Sequence, residues 1–281
     1  MNDFVDLRKI LTLDEVEWNL FRGFSPDDAR GRIFGGQVIG QALVAAYKTV
    51  VPELLCHSLH CYFIRPGDPT IPVLYQVERA RDGKSFATRR VAAIQRGEQV
   101  FNLAASFQVT EDGFDHQFSP PDAPTADSLA DRTDAWIAKL PPDAQVWNRR
   151  RPMEMRAVGP STPPGGVEKS GYSMWMRTKA DLQGDQPFNQ AVLAYMSDAG
   201  ILEASMRPHD VNFHTPGMQC ASLDHAMWFH RPVNPANWML YVQDSPSAQG
   251  ARGFTRGLIY AEDGALIASC AQEGLIRHRT P

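Results

Sequence analysis

Residues 57–66 read HSLHCYFIRP, and residues 224–232 read DHAMWFHRP. A second pair recurs in the same order at nearly the same offset: VFNLAASFQ at 100–108 and GALIASCAQ at 264–272. Two matched segments at one spacing predict a duplicated unit, each copy about a hundred residues or more. A duplication matters because reactive residues can survive in one copy and decay in the other. The differences between the copies then point at the chemistry.

Working outward, 15–24 (EVEWNLFRGF) reads as an opening strand, followed by a glycine-rich loop, DDARGRIFGG. Residues 37–51 (QVIGQALVAAYKTVV) are apolar on nearly every face, which predicts a buried helix. Segments 56–64, 71–80, 86–96 and 99–110 are rich in Val, Ile, Phe, Tyr and Thr and are separated by short polar or Gly turns, as successive antiparallel strands require. Residues 112–166 crowd Pro and Gly among Asp and Ser and read as a linker, with one short helix at 125–139. The pattern then resumes: a strand at 171–179, a helix at 188–206, and strands near 219–230, 237–244, 251–261 and 265–276. The expected division is a first repeat at 1–111, a linker at 112–166 and a second repeat at 167–281. Each repeat is a long buried helix wrapped by an antiparallel sheet. The fold class is α+β, a double hot dog.

Composition excludes several functions. A net charge of −4 over 281 residues, with no basic stripe, gives no footprint for nucleic acid. No apolar run approaches the length of a membrane span. The N-terminus, MNDFVDLRKILTL, lacks the apolar core of a secretory signal, and Arg279-Thr280-Pro281 is not the usual peroxisomal address. The four cysteines stand singly among apolar residues, as small buried hydrophobes do. A cytoplasmic protein is the expectation.

Laying the copies over each other sets Ala45 against Asp198, Cys56 against Ser222, and Gln108 against Gln272. The second copy alone then holds a carboxylate. Asp198 is the odd residue among Val192, Leu193, Tyr195, Met196 and Ile201: it is either a cap at a helix end or an aspartate buried for chemistry. A carboxylate, a hydroxyl and an amide can hold one water between them. Ser222 lacks the elbow motif of a serine nucleophile, which favours direct attack by water.

His57, His60, His225 and His230 recur in the matched segments, which suggests a structural role such as bonding backbone carbonyls. His57 stays a candidate at the substrate. Gly35-Gly36, ahead of the first long helix, can bring N–H groups to an anion or carbonyl, with Gly36 the candidate donor. Arg65, Arg231, Arg89 and Arg90 are candidates for the phosphates of a carrier molecule, set against ordinary pairing with Asp or Glu. No ligand cluster points to a metal.

GRIFGGQVIGQALVAA (31–46), HSLHCYFIRPGD (57–68), RDGKSFATRRVAAIQ (81–95), YMSD (195–198), ASLDHAMWFHRP (221–232), ARGFTRG (251–257) and AQEG (271–274) resemble the acyl-CoA thioesterase II family. That family includes the bacterial TesB enzymes and peroxisomal acyl-CoA thioesterases. The resemblance runs through both halves and misses mainly the linker. It implies a double hot-dog enzyme that hydrolyses acyl-CoA to fatty acid and CoA, with no cofactor and no metal. It places the catalytic set at Asp198, Ser222 and Gln272, with Ser222 where the family often has Thr. Homo-oligomers are common among such proteins and are expected here. Two rivals stand beside this reading: a hot-dog hydroxyacyl-CoA dehydratase, whose histidine would be His57 or His60, and an acyl-CoA binding protein without turnover.

Overall fold

The computed structural model describes residues 4–26, 31–129, 135, 137–160 and 171–279. The first copy runs α1 (Leu7–Leu11), β1 (Asp14–Glu17), β2 (Leu20–Gly23), α2 (Gly35–Tyr47), β3 (Leu54–Phe63), β4 (Val73–Asp82), β5 (Phe86–Gln95) and β6 (Glu98–Val109). Next come α3 (Pro142–Arg150) and β7 (Met153–Pro160). The second copy follows as β8 (Tyr172–Thr178), α4 (Gln186–Ser197), α5 (Glu203–Met206), β9 (Met218–Ser222), β10 (Asp224–Phe229), β11 (Met239–Gln249), β12 (Arg252–Ala261) and β13 (Leu266–His278).

Among the described residues, thirteen strands form one antiparallel sheet in the order β1-β2-β4-β5-β6-β3-β10-β13-β12-β11-β8-β7, with β9 beside β13. The order is a mirror about the β3–β10 seam. There His60 stands opposite Ala226, its own counterpart in the repeat, so a pseudo-two-fold axis passes between them. The seam gives each copy's inner strand a partner, so neither presents an open edge there. The fold is the expected double hot dog.

The two long helices lie side by side and antiparallel under the sheet. A Cβ built on Gly36 would fall 2.2 Å from the Tyr195 carbonyl oxygen, and one on Gly40 would fall 3.0 Å from that of Ala191. Glycine at both positions lets two backbones approach closer than side chains allow. α2 is buried on almost all faces, as its sequence predicts.

Several elements differ from the sequence reading. The opening strand is a hairpin, β1–β2, turned at Asn19 with positive φ. The segment read as a linker carries α3 and β7, and β7 pairs with β8. The Pro and Gly around it hide a short strand. Of the helix expected at 125–139, Asp127–Leu129 is a 3₁₀ turn, and 130–134 and 136 lie outside the described residues. α4 starts as its signals direct: the Asp185 side chain accepts the Phe188 N–H, and Pro187 sits in the first turn. It stops at Ser197 rather than 206, because Gly200 turns left-handed at φ 77° and the chain restarts as α5. The strand expected at 219–230 breaks at Leu223 into β9 and β10.

The ladders also correct the overlay of the copies. Ala104 pairs with His60 and Ala271 with Ala226, so Gln272 occupies the place of Ala105 and not of Gln108. Gln108 sits at the rim, donating to Glu111. Lys48 and Asp198 both cap their helices in helical conformation, so Asp198 answers to Lys48 and not to Ala45. Across the ladders, Arg89 faces Ala105 as Thr255 faces Gln272. Arg89 is not a surface cation. It is wholly buried, bonds both the hydroxyl (2.7 Å) and the carbonyl (2.8 Å) of Thr49 at the end of α2, and pairs with Asp82. Arg89→Met is expected to cost about 3 kcal/mol, because the lost charge-assisted bonds leave buried carbonyls without donors. Urea unfolding checks this, and an unchanged midpoint would refute it.

Candidate active site

Asp198 caps α4 and turns its carboxylate toward the start of α2. Gly36 donates its backbone N–H to Asp198 Oδ2 at 2.9 Å. The negative charge is poorly placed at the C-terminus of its own helix and well placed at the N-terminus of the neighbouring one. Asp198 is half-buried. The structure therefore joins both sequence readings: it is a helix-end residue, and it is held by the other copy.

Ser222, the last residue of β9, donates its hydroxyl to Asp198 Oδ1 at 3.3 Å. Gln272, buried on β13, donates from Nε2 to Ser222 Oγ at 3.0 Å. So the three residues singled out from the sequence form one hydrogen-bonded string. The break at Leu223 is what aims Ser222: Leu223 N–H bonds the Glu273 carbonyl, and its own carbonyl accepts from Phe63 on β3.

His225 lies one step behind, on β10. Its Nδ1 stands 2.7 Å from Gln272 Oε1, and its Nε2 stands 3.0 Å from Ser197 Oγ. It is buried, and burial pushes its pKa down to about 4, the bond to Gln272 opposing only in part. The sequence reading gave this histidine a backbone carbonyl as partner; its partners are side chains. The signal for it was present: in DHAMWF, alternation places His225 on the same face as Met227 and Phe229, all inward. The tie extends to Tyr241, whose hydroxyl donates to the Ser197 carbonyl at 2.7 Å.

The other candidates fall outside this string. His57 bonds Ser106 Oγ at 2.8 Å, and burial lowers its pKa. His230 bonds Ser269 in the same way, and His60 stands edge-on to Trp228. Arg65 pairs with Glu98, Arg231 with Asp115, and Arg90 with Glu78. Gly36 is in the site, with its N–H committed to Asp198. Among the described residues no three His, Cys, Asp or Glu side chains gather at metal-binding distance. No helix of the described residues is long and apolar enough to cross a membrane.

The model of the acyl-CoA thioesterase N-terminal domain matches residues 25–108, and that of acyl-CoA thioesterase matches 147–275. Acyl-coenzyme A thioesterase 8 of Homo sapiens is 40% identical over 282 residues, spanning 95% of this chain and 88% of that protein. The chain belongs to the acyl-CoA thioesterase family. Acyl-CoA thioesterase 2 of Haemophilus influenzae is 36% identical over 283 residues, spanning 99% of this chain and 98% of that one. The crystal structure of acyl-CoA thioesterase II TesB2 of Mycobacterium marinum superposes with a TM-score of 0.83 at 39% identity, covering 98% of this chain and 99% of that one. The likeness spans both copies, as the motifs predict.

Proposed function

We propose that the protein hydrolyses acyl-CoA to a free fatty acid and CoA, with Asp198 as general base. The observation that carries this reading is Ser222 Oγ, bonded at once to Asp198 and Gln272 at the mouth of α2. A water joining this set gives a proton to Asp198 as its oxygen attacks the thioester carbonyl. The tetrahedral oxyanion collapses, the C–S bond breaks, and the proton on Asp198 passes to the departing thiolate sulfur. The oxyanion needs donors aimed where its charge develops. With Gly36 engaged by Asp198, we assign that donor to the N–H of Gly35, which finds no partner among the described residues. Gly35 lies against the carboxylate: a Cβ there would fall 2.7 Å from Oδ2.

The test is thiol release from acyl-CoAs of graded chain length. Release by the wild-type chain supports the reading; none from any member of the panel would sink it. Ser222→Ala is expected to lower kcat about tenfold, one hydrogen bond's worth, while Ser222→Thr keeps the hydroxyl and most of the rate. Equal losses in the two variants would remove Ser222 from the mechanism.

Two further readings accompany this one. Cys56, Cys61, Cys220 and Cys270 are all free thiols, which supports a reducing, cytoplasmic setting. Tyr62 and Trp228 are exposed on one face of the β3–β10 seam, which supports self-association there. Sedimentation of the chain at a monomer's mass would refute self-association.

A further inference from the structure

His225 is not needed to fill its place in the fold. Its counterpart across the pseudo-two-fold is Leu59, equally buried, in the copy whose long helix ends on Lys48 and not on an aspartate. The histidine appears only where Asp198, Ser222 and Gln272 are.

Hydrogen-bond polarity gives the reason. An ionised Asp198 accepts only, so the Ser222 hydroxyl must donate to it. Ser222 Oγ then needs a donor on its other side, which is Gln272 Nε2 at 3.0 Å. That choice turns Oε1 toward His225, 2.7 Å from Nδ1, so Nδ1 must carry the proton. A ring kept neutral by burial has one N–H, and Nε2 is left to accept. Ser197 Oγ, itself buried, stands 3.0 Å from Nε2 and 2.9 Å from the Ala194 carbonyl, so its single proton has these two acceptors. Every bond from His225 Nδ1 to Asp198 then points one way.

We propose that His225 is a positioning residue: its Nδ1–H fixes the Gln272 amide, which turns the Ser222 hydroxyl toward Asp198. This rests on the thioesterase reading, in which that set holds the water. A flipped amide would draw the Ser222 hydroxyl away and leave Asp198 one donor short.

Two measurements on the whole chain test it. The first compares His225→Leu, His225→Asn, Gln272→Ala and the double variant His225→Leu/Gln272→Ala in thiol release. His225→Leu, which installs the first copy's own residue, is expected to lower kcat about tenfold with KM held. His225→Asn carries an N–H near the place of Nδ1 and is expected to restore most of that loss. The double variant is expected to be no slower than Gln272→Ala, because His225 acts through the amide. Additive losses, or no rescue by Asn, would overturn the proposal. The second is the ¹⁵N spectrum of the wild-type histidines at neutral pH. The expected result is a neutral His225 ring protonated at Nδ1; a proton at Nε2 or on both nitrogens would overturn the proposal. The two failures stay separate. A wild-type chain that releases no thiol sinks the thioesterase reading, while the spectrum still decides the polarity of the string.

Discussion

Asp198→Asn is expected to lower kcat by about 10²–10⁴-fold, the usual loss when a general base is removed, and to leave KM near its wild-type value. The substitution keeps the shape of the side chain. An asparagine carbonyl can still accept the Gly36 N–H, and Ser222 Oγ has a lone pair for the new N–H, so the fold should hold. What vanishes is the carboxylate proposed to take the proton from water. The check is thiol release under saturating substrate, wild type and variant side by side, with unfolding curves for both. If the variant keeps more than about a tenth of kcat, Asp198 is not the base.

The second large effect is structural. Gly36→Ala would put a Cβ 2.2 Å from the Tyr195 carbonyl oxygen and 2.5 Å from the Phe34 ring. A ring can swing away; a backbone carbonyl inside a buried helix cannot. α2 and α4 would have to part, costing about 1–3 kcal/mol as overpacking does, and the N–H that holds Asp198 would move with them. Stability and kcat should therefore fall together. Gly31→Ala is the control, since a Cβ there meets nothing within 4 Å. Thermal unfolding of the pair decides the matter. Equal midpoints for the two variants would mean that the helices tolerate the wider spacing.

How much of this was legible in the sequence depends on the kind of signal. The repeat, the run of antiparallel strands after each long helix and the buried character of α2 come from residue types and periodicity, and the structure bears them out, though β3 pairs with β6 and not with the next strand β4. Asp198, Ser222 and Gln272 were visible as a polar set in one copy, and they do meet. The reason they were paired with Ala45 and Gln108 is also plain. The overlay matched like residues, such as the glutamines that end VFNLAASFQ and GALIASCAQ, whereas strand pairing sets the counterpart of Gln272 three residues away at Ala105, and residue identity does not record that pairing. The end of α4 was missed because apolar residues continue past Gly200, so periodicity ran on where one left-handed glycine had stopped the helix. β7 was hidden by the Pro and Gly density on either side. His225 was within reach of strand alternation; the repeated histidines were read together, and its separate company went unseen.

The seam at His60 and Ala226 has a further consequence. Two identical subunits meeting across such an axis would be bound to equivalence, each owning a copy of whatever the other owned. Joined in one chain, the halves are free to divide the labour. One side spends its helix end on Asp198; the other seals the corresponding end with Arg89, a residue that anchors and does not react. The Asp198 carboxylate draws an N–H from the first half and a hydroxyl from the second, and an amide of the second half holds that hydroxyl. Either half made alone would be an incomplete machine, and the joined chain should bind one equivalent of a tight inhibitor directed at that carboxylate, not two.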